Sequence, residues 1–374
     1  MTTKKIILAK AGAGKTRYVT QSNEFIGKRI LYTTFTNENI KNITFLVQDS
    51  SHKSENVYIQ TYHSMLINNF IRPYINDINS CFTENINLSN GISWVSEQEI
   101  GEKRFAKKQN IDFWTNSNGQ IYGNRVSRLI LDNKFVFEKG LQRLRKYFDV
   151  IIVDEFQDFT NYDFSFLREL IQKSKMDIVY VGDVYQSLVT TTSTTVTPYK
   201  NDYSSDVFFI KKQFETEPFN IQVDGELFLD SKRITENVAE FVKEKLGINI
   251  TSNKKNSGYV HFIDDFADDV LEKVESILIF DRKTIVPEKY RNKTYNWTIS
   301  KGSTFENVAI ILTPTTYDKL LVDASKELSI STRNKLYVAL TRSKSDVYLI
   351  SPDCWKFFIS DDWERPAKQL ALDF

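Results

Sequence analysis

The chain has 374 residues, with 49 Lys or Arg against 48 Asp or Glu and a net charge of +1. This length allows about two or three domains. The balanced charge excludes a chain that is basic throughout, so any surface for nucleic acid must be local. Two cysteines and three histidines are spread along the sequence and predict neither a disulfide framework nor a zinc site. We find no apolar run of the roughly 20 residues that cross a membrane and no signal-peptide pattern, so we expect a cytoplasmic protein with no membrane partner.

The first motif is a predicted strand followed by a loop of small residues. Residues 6–9 form an apolar run, and Lys15-Thr16 open a predicted helix. Between them, a loop without bulky side chains lets backbone N–H groups surround a phosphate next to the positive end of the helix dipole. Lys15 is expected to neutralise phosphate charge and the Thr16 hydroxyl to ligate Mg²⁺. The loop residues are Ala11, Gly12, Ala13 and Gly14. Ala9 stands where the phosphate-loop pattern G-x-x-x-x-G-K-[ST] has its first glycine. Judged by itself, the loop could therefore be a chance Gly-Lys-Thr that binds no nucleotide.

Strands then alternate with helices, which predicts a parallel sheet. The predicted strands cover residues 29–35 and 56–61, and the predicted helices cover residues 16–26 and 38–47 and a segment that starts at residue 62.

Residues from about 73 to 146 break this alternation and predict an inserted subdomain with a small helical core. Residues 97–146 hold eleven Lys or Arg against six Asp or Glu, interleaved with aromatic residues. This composition suits a phosphate backbone with stacked bases. A solvated helix face over an aromatic core explains it equally well.

The alternation resumes at residue 148, where an apolar run leads directly into Asp154 and Glu155. Ligands of open α/β sheets bind at the carboxyl ends of strands. Asp154 is placed to hold Mg²⁺ through water, and Glu155 to orient or deprotonate an attacking water. The alternative is an acidic turn. After a predicted helix over residues 162–173, a strand over residues 178–183 leads to Gln186, whose neutral amide can contact a γ-phosphate or its water.

The second half of the chain also predicts alternating strands and helices, after a threonine-rich stretch at residues 190–197 that suits a linker or exposed loop. The predicted helices cover residues 234–246, 317–327 and 332–341, and the predicted strands cover residues 258–263, 276–280, 296–300, 307–313 and 347–350.

Eight segments stand in one order across nearly the whole chain. They are AKAGAGKT (9–16), TTFTN (33–37), QTYHS (60–64), VDEFQD (153–158), VGDVYQS (181–187), KRITENV (232–238), TISKGSTFENV (298–308) and LYVALTRSK (336–344). This series resembles the motifs of the UvrD/Rep-like superfamily 1 DNA helicases. The interval between Arg233 and Lys301 is too short for the large second-domain insertion of long members, so the chain resembles a compact one.

The resemblance implies an α/β fold with two RecA-like parallel-sheet domains and with ATP and Mg²⁺ between them. The first domain would comprise residues 1–72 and 147–200, the insertion residues 73–146, and the second domain residues 201–374. By motif match, Thr16 and Asp154 serve the metal, and Glu155, Gln186, Arg233 and Arg342 serve catalysis. The nucleotide would be held by the loop residues together with Lys15, Thr16 and Arg17. Phe35, Thr36, Thr61, Tyr62 and His63 match segments that line a path for single-stranded DNA; for Phe35 and His63, core packing is the alternative.

Three positions depart from the family pattern. Lys232 stands where an adenine-stacking tyrosine is usual, and Thr304 stands where a ribose-binding glutamate is usual. Residues 188–190, Leu-Val-Thr, replace an aromatic–arginine pair that touches bases.

We therefore expect an ATP-dependent motor that translocates on or unwinds nucleic acid, with single-stranded DNA as the polymer and 3′-to-5′ polarity by family analogy. The alternative is a nucleotide-switched subunit that senses DNA in a phage-defence or repair complex, with a protein partner such as a nuclease and without processive unwinding. An RNA motor is a third, weaker interpretation.

Overall fold

The computed structural model describes residues 2–49, 56–95, 99–187, 206–255, 258–265, 267–323 and 325–360. The described residues form two compact units. The first comprises residues 2–8, 15–182 and 206–227, and the second comprises residues 9–14, 183–187 and 228–360. The predicted linker at residues 190–197 lies outside the described residues.

The first unit is built on a mainly parallel sheet. Its strands are β1 (Lys4–Ala9), β2 (Ile30–Thr34), β3 (Val57–Thr61), β4 (Ile92–Ser93), β5 (Ile121–Tyr122), β6 (Val150–Asp154), β7 (Asp177–Gly182) and β8 (Gln222–Phe228). Six of them form one sheet in the order β3-β2-β6-β7-β1-β8, and β4 pairs with β5 separately. Every residue of β2 and β6 is buried, as is typical of parallel strands covered on both faces.

The register of this sheet places the ends of several strands along one edge. Thr34 of β2 lies opposite Thr61 of β3, and Asp154 of β6 lies opposite Val181, one residue before the end of β7. Because these strands run parallel, the residues that follow them meet at the carboxyl edge of the sheet, where ligands of α/β proteins bind.

The helices of the first unit surround this sheet. They are α1 (Lys15–Gln21), α2 (Asn37–Gln48), α3 (Tyr62–Leu66), α4 (Ile75–Asn79), α5 (Val126–Asp132), α6 (Lys134–Tyr147), α7 (Asn161–Lys173), α8 (Asp206–Phe214) and α9 (Thr216–Phe219). Three of them, α4, α5 and α6, lie mainly in the predicted insertion. Residues 80–95 and 99–125 consist mainly of turns and short 3₁₀ segments, together with β4 and β5.

The second unit has a five-stranded, fully parallel sheet in the order β11-β10-β12-β13-β9. Its strands are β9 (Val260–Ile263), β10 (Ser276–Ile279), β11 (Thr294–Asn296), β12 (Val308–Ile311) and β13 (Val347–Ile350). Its helices are α10 (Glu236–Leu246), α11 (Asp268–Lys273), α12 (Pro314–Leu321), α13 (Ile330–Leu340) and α14 (Pro352–Ile359). Leu271, Ile277, Ile311 and Trp355 belong to a buried apolar cluster in this unit.

The two parallel sheets confirm the predicted α/β class and are consistent with a RecA-like phosphate-loop fold. The domain boundaries at residues 73, 147 and 201 stay predictions.

Two predicted elements of the second unit were misplaced. The strand expected at residues 296–300 lies at Thr294–Asn296, because the Asn296 side chain accepts the Thr298 N–H at 2.9 Å and turns the chain. The helix expected at residues 317–327 is α12, which starts earlier because Thr313 caps it and Pro314 occupies its first turn.

Candidate nucleotide site and nucleic-acid surface

The phosphate loop has two glycines with positive φ, Gly12 at 74° and Gly14 at 87°. A side chain at Gly12 would place its Cβ 2.6 Å from Cβ of Arg233 and 2.7 Å from Oγ of Ser231, so only glycine fits there. Around Gly14 no atom lies within 4 Å of the Cβ position. The loop is therefore tightly packed at Gly12 and open at Gly14, immediately before α1.

The side chains that follow β1 and β6 meet in the first unit. Lys15 Nζ lies 2.9 Å from Oε1 of Glu155, and both side chains are about one-eighth exposed, at 12%. Thr16 Oγ1 donates a hydrogen bond of 2.8 Å to Oδ2 of Asp154. The predicted phosphate ligand, metal ligands and catalytic carboxylate are thus brought together at the carboxyl edge of the sheet.

Glu155 is held by its backbone and by Gln157. Its φ of 57° and ψ of 42° are left-handed, which is uncommon for a residue with a side chain and is typical of functional sites. Gln157 is fully buried and donates from Nε2 to Oε2 of Glu155. The Gln157 amide fits because residue 182 is glycine: a Cβ there would lie 2.1 Å from Oε1 of Gln157.

Asp154 has the chemistry expected of a metal ligand. Burial raises the pKa of this carboxyl, and the nearby Glu155 charge adds to the effect, while Lys15 and the Thr16 hydrogen bond oppose it. A bound cation would stabilise the charged form that burial disfavours.

The side chains of Thr16 and Asp154 fit a Mg²⁺ ion. The hydroxyl of Thr16 and the carboxylate of Asp154 are hard oxygen ligands, 2.8 Å apart. Within the described ranges there is no group of three or more His, Cys, Asp or Glu that could hold a metal. Mg²⁺ is usually held by one or two protein oxygens, with water and phosphate oxygens completing its shell, so this donor set suits it.

A second buried network lies in the second unit. The Tyr337 hydroxyl of α13 accepts the N–H of Ala11 at 2.9 Å and donates to Oδ2 of Asp183 at 2.9 Å. Gln186 Nε2 donates to the same Asp183 oxygen at 2.9 Å, and Oδ1 of Asp183 accepts the Tyr185 N–H at 3.1 Å. Gln186 is therefore held by a fully buried aspartate that also binds the helix of the LYVALTRSK segment.

The two predicted catalytic arginines differ in their surroundings. Arg233 is partly buried, packs against Gly12, and donates from Nη1 to the carbonyl of Thr341 at 3.2 Å. Arg342 is 1% exposed, and its guanidinium donates to the carbonyls of Val338 and Ser303 and to the Thr341 hydroxyl. Arg233 thus lies beside the phosphate loop, whereas Arg342 links Val338 of α13 to Ser303 of the TISKGSTFENV segment. Arg17, also assigned to the nucleotide, is exposed and donates to Gln21.

The five residues assigned to a nucleic-acid path follow β2 and β3, but they differ in exposure. Thr36 is exposed, Phe35 and Thr61 are half-buried, and Tyr62 and His63 are buried. The Tyr62 hydroxyl is 2.9 Å from that of Ser127, which is a core contact. Burial lowers the pKa of His63 to about 4, so its imidazole is neutral near pH 7 and brings no charge to a phosphate.

The basic insertion has local acidic partners. Lys103 lies 2.6 Å from Asp112. Lys108 lies 2.6 Å from Asp132. Arg125 is buried and packs over the Phe113 ring with 4.0 Å between its Cζ and the ring centroid. These contacts favour the interpretation of this segment as a solvated face over an aromatic core rather than as a phosphate-binding patch.

Comparison with known families decides the class. Residues 1–192 match the family described as an AAA domain, and residues 106–351 match the family described as the viral superfamily 1 RNA helicase core domain. The chain belongs to the superfamily 1 helicases. Proteins of this class are nucleoside triphosphate hydrolases, in agreement with the Lys15 to Glu155 geometry.

Solved helicases of related fold share little sequence with this superfamily 1 helicase. The arterivirus nonstructural protein 10 helicase is 12% identical, with a TM-score of 0.49 over 93% of this chain and 60% of that one. The complex of an arterivirus nonstructural protein 10 helicase with DNA is 12% identical, with a TM-score of 0.50 over 93% of this chain and 61% of that one. The PRRSV helicase is 11% identical, with a TM-score of 0.45 over 93% of this chain and 52% of that one. The chain spans about 60% of the length of the first two, and likeness at this identity concerns the fold alone.

No curated protein matches the chain. Among the described residues, none of the helices has the length and apolar character needed to cross a membrane.

Sequence reasoning assigned no role to three residues that contact candidate site residues within their own unit. Gln157 and Asp183 lie inside recognised segments, VDEFQD and VGDVYQS, but had no role assigned. Tyr337 lies in LYVALTRSK, and its partner Ala11 is 326 residues away, so helical periodicity alone does not reveal the contact.

Proposed function

We propose that this helicase hydrolyses ATP at the Lys15–Glu155 site and uses the energy to move on single-stranded nucleic acid. The observation that carries the proposal is the pairing of Lys15 with Glu155 and of Thr16 with Asp154 at one edge of the sheet. Bound Mg²⁺ would offset the negative charge of the β- and γ-phosphates.

Each side chain has a role that fits its position. Lys15 binds phosphate oxygens, which releases Glu155 to accept a proton from the attacking water. Thr16 and Asp154 hold the metal. The Gln157 hydrogen bond keeps the Glu155 carboxylate oriented, and Gln186, fixed by Asp183, orients the water or the γ-phosphate.

Arg233 and Arg342 would stabilise the charge that develops on the transferred phosphoryl group. The packing of Arg233 against Gly12 supports the first assignment. Arg342 has to exchange at least one of its carbonyl partners, Val338 or Ser303, to reach a phosphate.

For the polymer we propose single-stranded DNA, with 3′-to-5′ polarity and UvrD/Rep-like membership taken from the motif resemblance. The DNA complex of the arterivirus helicase supports a nucleic-acid partner. The matched family is described as an RNA helicase core, so RNA is the competing polymer.

A second candidate is a nucleotide-switched subunit that senses DNA within a defence or repair complex, together with a nuclease. The replacement of the base-contacting pair by residues 188–190 favours it.

The test measures phosphate release with no polymer, single-stranded DNA, duplex DNA and RNA, followed by displacement of a labelled strand from a tailed duplex. A motor is stimulated most by its single-stranded polymer and displaces the strand. Stimulation without displacement supports the sensing subunit, and no hydrolysis under any condition contradicts both candidates.

A further inference from the structure

One exposed aromatic side chain stands next to the segments assigned to the polymer. Trp94 follows β4 in the insertion and is 63% exposed. Its ring centroid lies 4.6 Å from that of His63, with the planes at 89°. A Cβ on Gly123 would lie 2.4 Å from Cζ3 of Trp94, so the indole rests directly on the glycine backbone. The ring is thus supported by protein while most of its surface faces solvent.

The support beneath Trp94 leads to the ends of β2 and β3. His63 is 6% exposed, and its Nε2 has no hydrogen-bond partner. The His63 ring also contacts Phe35, at 5.7 Å between centroids, and Phe35 contacts Phe159 at 5.5 Å. Trp94 is therefore joined through His63 to Phe35, which precedes the exposed Thr36.

We propose that Trp94 is a stacking platform for a base of the bound single strand. The inference rests on the proposed function, since it names a residue of the same polymer site. Stacking on an aromatic ring is available to every base and does not require a particular sequence. Trp94 would supply the aromatic contact that residues 188–190 lack, and His63 acts as its neutral, buried support.

Exposure alone does not single out Trp94, because Phe45 and Phe105 are also exposed, at 67% and 75%. What distinguishes Trp94 is the support from Gly123 and His63 and the contact chain to Phe35. Phe105, in the same insertion, is therefore a matched control for the loss of an exposed ring.

Tryptophan fluorescence gives a direct readout. Of the tryptophans in the described ranges, Trp94 is exposed, whereas Trp114, Trp297 and Trp355 are at most 5% exposed. Trp363 lies outside the described residues, so a Trp363→Phe background removes its signal. The probes are an oligodeoxythymidine strand and an abasic strand of equal length.

We expect the oligodeoxythymidine to quench the fluorescence and the abasic strand to leave it unchanged. Trp94→Phe should abolish the quench and keep the strand affinity within about threefold, because phenylalanine still stacks, whereas Trp94→Ala should raise the Kd about tenfold. Phe105→Ala should leave the Kd unchanged, and thermal denaturation shows whether each variant is folded.

If folded Trp94→Ala binds the strand as tightly as Phe105→Ala, or if the quench persists in Trp94→Phe, the stacking proposal is wrong while the motor proposal stands. If the parent protein binds no single strand at all, both proposals fail.

Discussion

Replacement of Tyr337 by phenylalanine removes one oxygen from the centre of the buried network in the second unit. The ring would keep its contact with Tyr185, whose centroid is 5.9 Å away. The N–H of Ala11 would lose its acceptor, and Asp183 would lose one of its donors. Asp183 would keep the hydrogen bonds from Gln186 and from the Tyr185 N–H.

The size of the effect follows from these two contacts. Tyr337 is fully buried, so water does not replace the lost hydroxyl. A hydrogen bond to a charged group contributes about 1.5–3 kcal/mol, and a buried N–H left without a partner costs about 1–3 kcal/mol. Because Asp183 stays bonded to Gln186, we take the lower part of each range and expect a loss of about 2.5–4 kcal/mol. In a unit of this size, this corresponds to a fall in the denaturation midpoint of about 5–10 °C.

The assay is thermal denaturation of the wild type and of Tyr337→Phe, with Tyr259→Phe as the control. Tyr259 lies in the same unit, is 53% exposed, and its hydroxyl has no hydrogen bond among the described residues. The double variant with Asp183→Asn should lose less than the sum of the two single losses, since both changes break the same contact. If Tyr337→Phe has the same denaturation midpoint as Tyr259→Phe, the network does not stabilise the protein and the argument is refuted.

Two further substitutions test the supports of the site. Gly182→Ala should displace Gln157 and thereby Glu155, and lower kcat about 100-fold with nucleotide affinity nearly unchanged. Gly140→Ala is the matched control: its Cβ would lie 2.0 Å from Cδ1 of Phe70, in the core of the same unit, and the folded variant should keep kcat. Equal kcat for the two variants would contradict the role of Gln157. Arg342→Ala should lower kcat by about three orders of magnitude. It should also lower the denaturation midpoint, because the guanidinium bridges Val338 and Ser303. Retention of more than about a tenth of the wild-type kcat would exclude Arg342 from catalysis.

The sequence predicted the site best where reactive side chains come after an uninterrupted apolar run. Val150 to Val153 are apolar and buried, and the carboxylates after them lie at the sheet edge as predicted. Lys15 and Thr16 open the helix that follows β1 after the loop of small residues, also as predicted. In both places local pattern and site coincide, so periodicity and motif spacing were sufficient.

The remaining features depend on contacts that no local pattern contains. The left-handed backbone of Glu155 has no signature in the local sequence, and the space that Gly182 leaves for Gln157 arises only when β6 and β7 pair. Trp94 lies among short turns without periodicity, and its exposure depends on how His63 and Gly123 pack. The burial of Tyr62 was not predicted, and that of His63 was predicted only as an alternative, because motif position does not determine which side chains face solvent.

The most direct test of the central claim compares nucleotide binding with hydrolysis in Glu155→Gln and Lys15→Ala. Glutamine keeps the shape of Glu155 but cannot take a proton, so binding of a fluorescent ATP analogue should stay within about threefold while single-turnover phosphate release falls at least about 100-fold. Lys15→Ala should lose the binding itself, because the ammonium is the cation of the phosphate loop. Hydrolysis by Glu155→Gln at more than about a tenth of the wild-type rate would contradict the account.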